Sequence, residues 1–204
     1  MKSILKIIFV SIFFQNLLCS DIVSIDVLTT NDIHGVLGEQ MANFMNPQYP
    51  PKILGGSAMY NYINKLNQKT ETLLLDGGNF FQGHPLGISD SGKFMIEWYN
   101  QLQYDAMVPG RYDFILGSKN LNNLIDLANF PFLAANLKCN DCELISSNIK
   151  PYIIKEIKGV KVGIVGIVSS GLKDWVLSKN IKGIDIVYEA RALKEWVPKV
   201  REAG

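Results

Sequence analysis

An aspartate and a histidine lie two residues apart just after the first apolar stretch of the chain, at Asp32 and His34. On an extended backbone, side chains two residues apart point to the same side, which would bring the carboxylate and the imidazole together. A carboxylate and an imidazole can form half of a divalent metal site. Because such pairs also arise by chance in solvated loops, the spacing alone predicts candidate ligands and not a complete metal centre.

Two further polar segments follow later apolar stretches. The first, 75–83, contains Asn79, and the second, 104–114, contains Arg111 and Tyr112. In sheets of parallel strands, binding and catalytic groups gather at the carboxyl ends of the strands. We therefore expect these segments to lie beside Asp32 and His34 in one site.

The elements that must position these segments alternate between strands and helices. Apolar spacing predicts strands at 22–30, 72–76, 106–108 and 132–135, and a hairpin of 152–157 and 160–168 joined by Lys158 and Gly159. Helices are predicted at 58–66, 94–102, 121–128 and 188–202, with Pro198 bending or interrupting the last. This alternation predicts an α/β fold with a mainly parallel sheet, which the hairpin makes a mixed sheet.

Composition limits the kind of protein and the kind of site. With 204 residues, 48% of them hydrophobic, the chain can form a folded domain and is not a disordered protein. A net charge of +1 argues against a dedicated binder of nucleic-acid polymers. The chain has two histidines, so a site needing three imidazoles cannot come from this chain alone. Of the two, His84 is expected to be an exposed loop residue.

The N-terminal segment, 1–20, has the layout of a secretory signal peptide. Lys2 and Lys6 precede an apolar run, 7–14, that is too short to span a membrane. This predicts export to the periplasm or the extracellular space and a mature domain of 21–204 that does not associate with the membrane. A single N-terminal anchor helix is the alternative.

The cysteines Cys139 and Cys142 lie close together in a polar stretch. In an exported protein, a local disulfide is the leading interpretation. A zinc site would need two more ligands, and a thioredoxin-like redox motif would open a helix.

The segments 29–35, 75–83 and 104–114, in this order and spacing, resemble the metallophosphoesterase (calcineurin-like) domain of secreted 5′-nucleotidases and 2′,3′-cyclic phosphodiesterases. Gly55-Gly56 and the stretches 130–136 and 151–166 agree with this resemblance, which runs from about residue 22 to residue 204. It implies a two-sheet α/β sandwich that holds two divalent metals, such as Mn or Zn. It also implies that a metal-bridged hydroxide attacks the phosphorus of a small phosphate ester or nucleotide while a histidine assists.

Three positions depart from the family pattern. Asp32 and His34 match it, but Asn79 stands where the family has an aspartate that bridges both metals. Arg111 replaces a metal-binding asparagine, and Tyr112 replaces the catalytic histidine. The resemblance therefore implies that at most one metal binds well, with Asn79 as a weak ligand, and that hydrolysis is weak or absent.

Two further histidine-bearing segments of the family would follow the last predicted helix, so we expect this chain to be the N-terminal part of the domain, incomplete at its C-terminus. It would then be a truncated product or a piece of a longer protein. Asp76 is a substitute ligand in principle, although we expect it to lie on its strand.

Two functions remain open at this point. One is an exported 5′-nucleotidase-like phosphoesterase with a degenerate site. The other is an exported binding or accessory module without catalysis, in which the Arg111 guanidinium clamps a phosphate without any metal. In the simplest alternative for this residue, Arg111 only pairs with Asp113 or Asp76.

Overall fold

A computed structural model describes residues 22–204, and the predicted signal at 1–20 lies outside them. The strands are β1 (Asp26–Thr30), β2 (Gln40–Met41), β3 (Lys52–Ile53), β4 (Thr72–Asp76), β5 (Ala106–Met107), β6 (Phe132–Leu133), β7 (Leu137–Cys139), β8 (Ile149–Lys150), β9 (Tyr152–Ile157), β10 (Val160–Val165) and β11 (Ile184–Ile186). The helices are α1 (Gly55–Asn67), α2 (Pro85–Ile88), α3 (Lys93–Leu102), α4 (Ser118–Leu127), α5 (Leu172–Trp175) and α6 (Glu189–Ala203). None of these helices is long and apolar enough to cross a membrane.

The central sheet has five strands in the order β1-β4-β5-β6-β8, and every neighbouring pair is parallel. Parallel neighbours need long crossover connections, which α1, α3 and α4 supply between successive strands. In the register, Thr30 lies opposite Asp76, and Asp76 lies opposite Met107. The carboxyl ends of β1, β4 and β5 are therefore level, and the three polar segments leave the sheet at one edge.

The predicted hairpin is confirmed as the antiparallel pair β9–β10. Its two turn residues, Lys158 and Gly159, have φ angles of 51° and 77°, as a two-residue turn that matches the twist of the strands requires. The hairpin forms a sheet of its own, so the sheet that we expected to be mixed separates into a parallel sheet and an antiparallel ribbon. Pro151, which has no N–H to donate, lies between β8 and β9 and interrupts the pairing there.

One face of the parallel sheet carries the main core. The core helices α3 and α4 bury their apolar stripes, as the predicted spacing requires. Phe80 and Phe81, which directly follow the polar loop after β4, are fully buried in this core with Phe132. The loop that carries Asn79 is therefore anchored at its C-terminal side by two phenylalanines.

The hairpin lies over the other face of the sheet. A cavity of about 280 Å³ remains between them, lined by apolar groups that include Leu75 and Leu133 of the sheet and Ile164 of β10. Helix α6 packs on β10, where Val200 lies against Gly163. Helix α6 continues through Pro198, so of the expected bend or break the break does not occur. The two layers confirm the α/β class and its sandwich arrangement.

The cysteine pair is joined by a disulfide between Cys139 and Cys142, whose Cα atoms are 5.3 Å apart. The bond closes a short loop at the end of β7, which pairs with β11. The local disulfide predicted from the sequence is thus confirmed.

Candidate functional site

The loop after β1 is hydrogen-bonded along its length to the loop after β4. Backbone N–H groups of Asp32, His34 and Gly35 donate to the carbonyls of Gly78, Asn79 and Phe80, at 3.0, 2.9 and 2.8 Å. In this arrangement Asp32 and His34 have φ angles of 55° and 52°, so the backbone is not extended as the spacing argument assumed. Their side chains nevertheless converge, with His34 Nε2 3.7 Å from Asp32 Oδ1.

His34 is oriented by a backbone carbonyl. Its Nδ1 lies 2.6 Å from the oxygen of Gln82, so Nδ1 carries the proton and donates it to that carbonyl. The lone pair is then on Nε2, the atom that faces Asp32. Metal-binding imidazoles are held in this way, with the other ring nitrogen donating to a carbonyl or carboxylate. His34 and Asp32 therefore have the geometry of two ligands of one metal ion.

Asn79 forms hydrogen bonds with Asp32 on one side and with Tyr112 on the other. The backbone N–H of Tyr112 donates to Asn79 Oδ1 at 2.9 Å, and Asn79 Nδ2 donates to Asp32 Oδ1 at 2.7 Å. Since a backbone N–H can only donate, the oxygen of the amide must face Tyr112 and its NH₂ group must face Asp32. Asn79 thus presents hydrogens, and no lone pair, towards the position that a metal on Asp32 would occupy.

Two buried carboxylates, those of Asp76 and Asp113, accept hydrogen bonds from the loop after β4. Asp76 accepts hydrogen bonds from Thr30 Oγ1 at 2.5 Å, from the Gly78 N–H at 2.6 Å and from the Tyr99 hydroxyl at 2.9 Å. Burial raises the pKa of Asp76 to about 6. Asp76 is therefore turned into the core, and it lies at the end of its strand, as expected.

The second carboxylate, Asp113, is completely buried. It accepts from the backbone N–H groups of Asn79, Phe80 and Gly110, at 2.8, 3.0 and 2.7 Å. Burial raises its pKa to about 7. Asp113 joins the loop after β4 to the loop after β5, a positioning role that nothing in its sequence context indicated.

The loop after β4 and the loop after β5 come into close contact at Gly78. Its φ is +95°, and a Cβ atom there would lie 2.3 Å from the Gly110 nitrogen. No other residue fits this position without moving the backbone. The approach brings Asn79 within reach of Tyr112.

Arg111 and Tyr112 open the 3₁₀ turn Arg111–Phe114 after β5. The guanidinium carbon of Arg111 lies 4.9 Å from the ring centroid of Tyr112 and 4.5 Å from that of Trp175. The Tyr112 ring also meets the His34 ring edge-on, with centroids 5.3 Å apart. Tyr112 is therefore the contact between the Asp32–His34 pair and Arg111. Trp175 is a residue of this site that the sequence did not reveal.

A cleft of about 310 Å³ opens beside Arg111. Its walls come from the loops after β4 and β5, from the segment after β10 and from α5, and they include Asn79, Arg111, Ser169 and Trp175. A second, more apolar groove of about 550 Å³ lies on the other side, next to Asp32 and His34. Arg111 thus borders the more polar cleft, and Asp32 and His34 border the more apolar groove.

The donor set does not fit a two-metal centre. Within residues 22–204, no three His, Cys, Asp or Glu side chains group together in a way that could hold a metal ion. His84 is exposed and accepts a hydrogen bond from the Leu86 N–H at the start of α2, as expected for a loop histidine. Asp32 and His34 alone remain as metal ligands in the described part of the chain.

No family profile matches the chain. Similar proteins include the trifunctional nucleotide phosphoesterase YfkN of Bacillus subtilis, 30% identical over 89% of this chain and 14% of its own length. A snake venom 5′-nucleotidase of Crotalus adamanteus is 35% identical over 69% of this chain and 24% of its own length. The chain thus spans less than a quarter of each relative.

A solved structure of one of these relatives has a similar fold. The crystal structure of the calcineurin-like phosphoesterase YfkN from Bacillus subtilis superposes with a TM-score of 0.69 and 27% identity, over 88% of this chain and 59% of that one. Sequence and fold therefore agree with the resemblance noted in the polar loops. The chain belongs to the 5′-nucleotidase and calcineurin-like phosphoesterase family, and it matches one portion of the longer members.

Proposed function

We propose that this chain is an exported, 5′-nucleotidase-like phosphoesterase domain that binds a small phosphate ester or nucleotide. With the residues between 22 and 204, it hydrolyses that ester weakly or not at all. Export is supported by the signal-like pattern of residues 1–20, and the substrate class by the names of the relatives.

The orientation of Asn79 carries this proposal. A carboxylate at this position would offer lone pairs and a negative charge to a metal, whereas the Asn79 amide donates a hydrogen bond to Asp32 and is fixed in that orientation by the Tyr112 N–H. To ligate a metal through its oxygen, Asn79 would have to rotate and leave a backbone N–H unpaired, which costs about 1–3 kcal/mol. Asp32 and His34 can therefore hold at most one divalent ion, and they hold it loosely.

Tyr112 cannot compensate for this loss. A phenol is a poor proton donor and acceptor near neutral pH compared with an imidazole. General acid–base assistance is typically worth about 10²–10⁴-fold in rate, so a tyrosine in place of a histidine predicts a large loss of hydrolysis.

A second function, binding without catalysis, is favoured by the surroundings of Arg111. Among the ion pairs within residues 22–204, none involves Arg111. The expected alternative partners are engaged elsewhere, because Asp113 accepts from backbone N–H groups and Asp76 accepts from Thr30, Gly78 and Tyr99. The guanidinium is thus available to bind a phosphate at the cleft.

Calorimetry with inorganic phosphate in the presence of a chelator tests the binding function on the full chain. We expect binding that Arg111→Ala weakens at least about tenfold, since hydrogen bonds to charged groups contribute about 1.5–3 kcal/mol each. The exposed Arg191→Ala is the matched control and should bind as the parent does. Equal affinities of the Arg111→Ala variant and the parent would contradict this role.

Hydrolysis of a nucleoside monophosphate in the presence of Mn²⁺ or Zn²⁺ tests the catalytic function. We expect turnover that is slow or absent, and binding of no more than one metal per chain. Stoichiometric binding of two metals, with turnover abolished by Asp32→Ala, would overturn the proposal of a depleted site.

A further inference from the structure

The loop between β2 and β3, residues 42–51, is compact and is held by its own hydrogen bonds. The Ala42 N–H donates to the Pro51 carbonyl at 2.8 Å, which joins the two ends of the loop. Within it, Asn46 Oδ1 accepts from the Tyr49 N–H at 3.1 Å, and Ala42 is completely buried. Compact surface loops whose ends meet in this way hold a defined shape and are frequently functional.

This loop turns its largest apolar side chains outward. Phe44 and Tyr49 are each 81% exposed, and Met45 is 66% exposed. An exposed apolar patch of this kind is typical of a surface that contacts a partner, because it leaves a large apolar area in water. Since hydrogen bonds already hold the loop backbone, little backbone freedom is lost when these side chains bind.

The apolar groove beside Asp32 and His34 begins at the base of the same ribbon. Its volume is about 550 Å³, and it is lined by Gln40 and Ile53, which pair with each other between β2 and β3. The remaining wall is mainly apolar and includes Leu37, Leu54, Met59 and Trp98. A protruding apolar loop and an apolar depression therefore lie next to each other on the surface.

The charge of this region favours a second copy of the chain as the partner. In a two-fold symmetric contact each patch meets the same patch of the other copy, so a charged residue near the axis faces its own like charge. Residues 40–51 include no charged side chain, and the flanking Glu39 and Lys52 pair with each other. The net charge of the chain is +1, so long-range repulsion between two copies is small.

We infer that two copies of this chain form a symmetric dimer in which the loop 42–51 of each copy places Phe44 in the apolar groove of the other. A patch that carries both a protrusion and a matching depression is self-complementary, as a two-fold interface requires. The loop of the second copy then covers the groove side of the Asp32–His34 pair, and the cleft beside Arg111 stays open. This contact depends neither on phosphate binding nor on hydrolysis.

Sedimentation equilibrium of the full chain over a range of concentrations measures the dimer. We expect Phe44→Ser, which removes the protruding ring, and Leu54→Glu, which places a charge in the groove, each to raise the dissociation constant at least about tenfold. Both residues are exposed, at 81% and 54%, so neither substitution opens the core. The matched controls are Tyr188→Ser and Leu177→Glu, which change exposed residues outside the loop and the groove and should dimerise as the parent does.

Mixing the two variants tests whether the loop of one copy enters the groove of the other. In a dimer of Phe44→Ser alone, or of Leu54→Glu alone, both of the symmetric contacts are damaged. In the mixed dimer, the intact Phe44 of the Leu54→Glu copy meets the intact groove of the Phe44→Ser copy, so one of the two contacts is restored. Sedimentation of an equimolar mixture, with one variant fluorescently labelled, should therefore show more dimer than either variant gives alone.

Three outcomes would overturn the inference. The first is a parent chain that remains monomeric at every concentration. The second is a Phe44→Ser variant that dimerises as the parent does, or a mixture that forms no more dimer than its components. The third is a monomeric parent that sediments with phosphatidylcholine vesicles through Phe44, which would assign the loop to a lipid surface.

Discussion

The two sides of the candidate site differ in charge, in the depression that lies beside them and in the buried carboxylate that supports them. On one side, Asp32 and His34 form a metal-type pair next to an apolar groove. On the other side, Arg111 lies between aromatic rings at a cleft. Asn79 contacts both sides, donating to Asp32 and accepting from the Tyr112 N–H.

Each side also has its own buried carboxylate. Asp76 connects Thr30, at the end of β1, to Gly78, whereas Asp113 connects Gly110, after β5, to Asn79 and Phe80. The comparison shows that one frame of buried hydrogen bonds supports two sides of different chemistry. The frame depends on Asp76 and Asp113, whereas the chemistry depends on Asp32, His34 and Arg111.

The largest expected effect comes from Asp113→Ala, which should disrupt both sides at once. Three backbone N–H groups lose their acceptor in a buried place, so the free energy of unfolding should fall by about 3–5 kcal/mol. Urea unfolding measures this change. The exposed Asp26→Ala should remain within about 0.5 kcal/mol of the parent, and an equal loss in both variants would contradict the role of Asp113.

The pH dependence of stability should be the next largest effect. Burial raises the pKa values of Asp76 and Asp113 to about 6 and about 7, above their ordinary 3.8, so between pH 4 and 7 the folded chain binds more protons than the unfolded chain. The free energy of unfolding should therefore be highest near pH 4 and should decrease as the pH rises through 6 and 7, by on the order of 3–4 kcal/mol for each of the two carboxyl groups.

The variant Asp76→Asn separates the two carboxylates. It should flatten the part of the pH profile near pH 6 and leave the part near pH 7, which belongs to Asp113. Urea unfolding at a series of pH values measures both parts. A stability that increases with pH over this range would show that the buried groups are not protonated in the folded chain.

A smaller effect is expected on metal binding when Asn79 becomes a carboxylate. Asn79→Asp replaces an amide that donates to Asp32 with a second carboxylate, which is a third ligand beside Asp32 and His34, so Mn²⁺ should bind at least about tenfold more tightly than to the parent. Asn79→Ala removes the amide without adding charge and should show no such gain. If both variants bind Mn²⁺ more tightly by the same factor, the gain comes from removing the amide and not from adding a negative charge.

The smallest effect is expected from Tyr112→Phe. The contacts of Tyr112 with His34, Arg111 and Asn79 are made by its ring and its backbone N–H, and the substitution keeps both. Unfolding free energy should change by less than about 0.5 kcal/mol, and phosphate affinity by less than about twofold. Tyr112→Leu, which removes the ring, should weaken phosphate binding measurably. A large effect of Tyr112→Phe would assign the hydroxyl a role in the site.

The sequence predicted the parts of this molecule that depend on local patterns. The periodicities at 94–102 and 121–128 predicted α3 and α4, and the polar loops at strand ends predicted that Asp32, His34 and Asn79 would meet. The extended backbone assumed for Asp32 and His34 was wrong, because hydrogen bonding to the loop after β4 imposes positive φ angles on both.

Other parts depend on contacts that no local pattern encodes. The orientation of the Asn79 amide is set by the N–H of Tyr112, 33 residues further along the chain. Trp175 belongs to a short helix after the hairpin, and its place beside Arg111 follows only from how the hairpin lies over the sheet.

The positive φ angles of Asp32, His34 and Asn79 have a consequence for how this chain can change over time. A left-handed backbone costs most residues about 1–2 kcal/mol, and less for aspartate, asparagine and histidine, which are enriched there. A β-branched residue at any of the three positions would therefore strain the loop in addition to removing a polar side chain from the site. The backbone thus limits which residues these positions can accept, separately from any chemistry that their side chains perform.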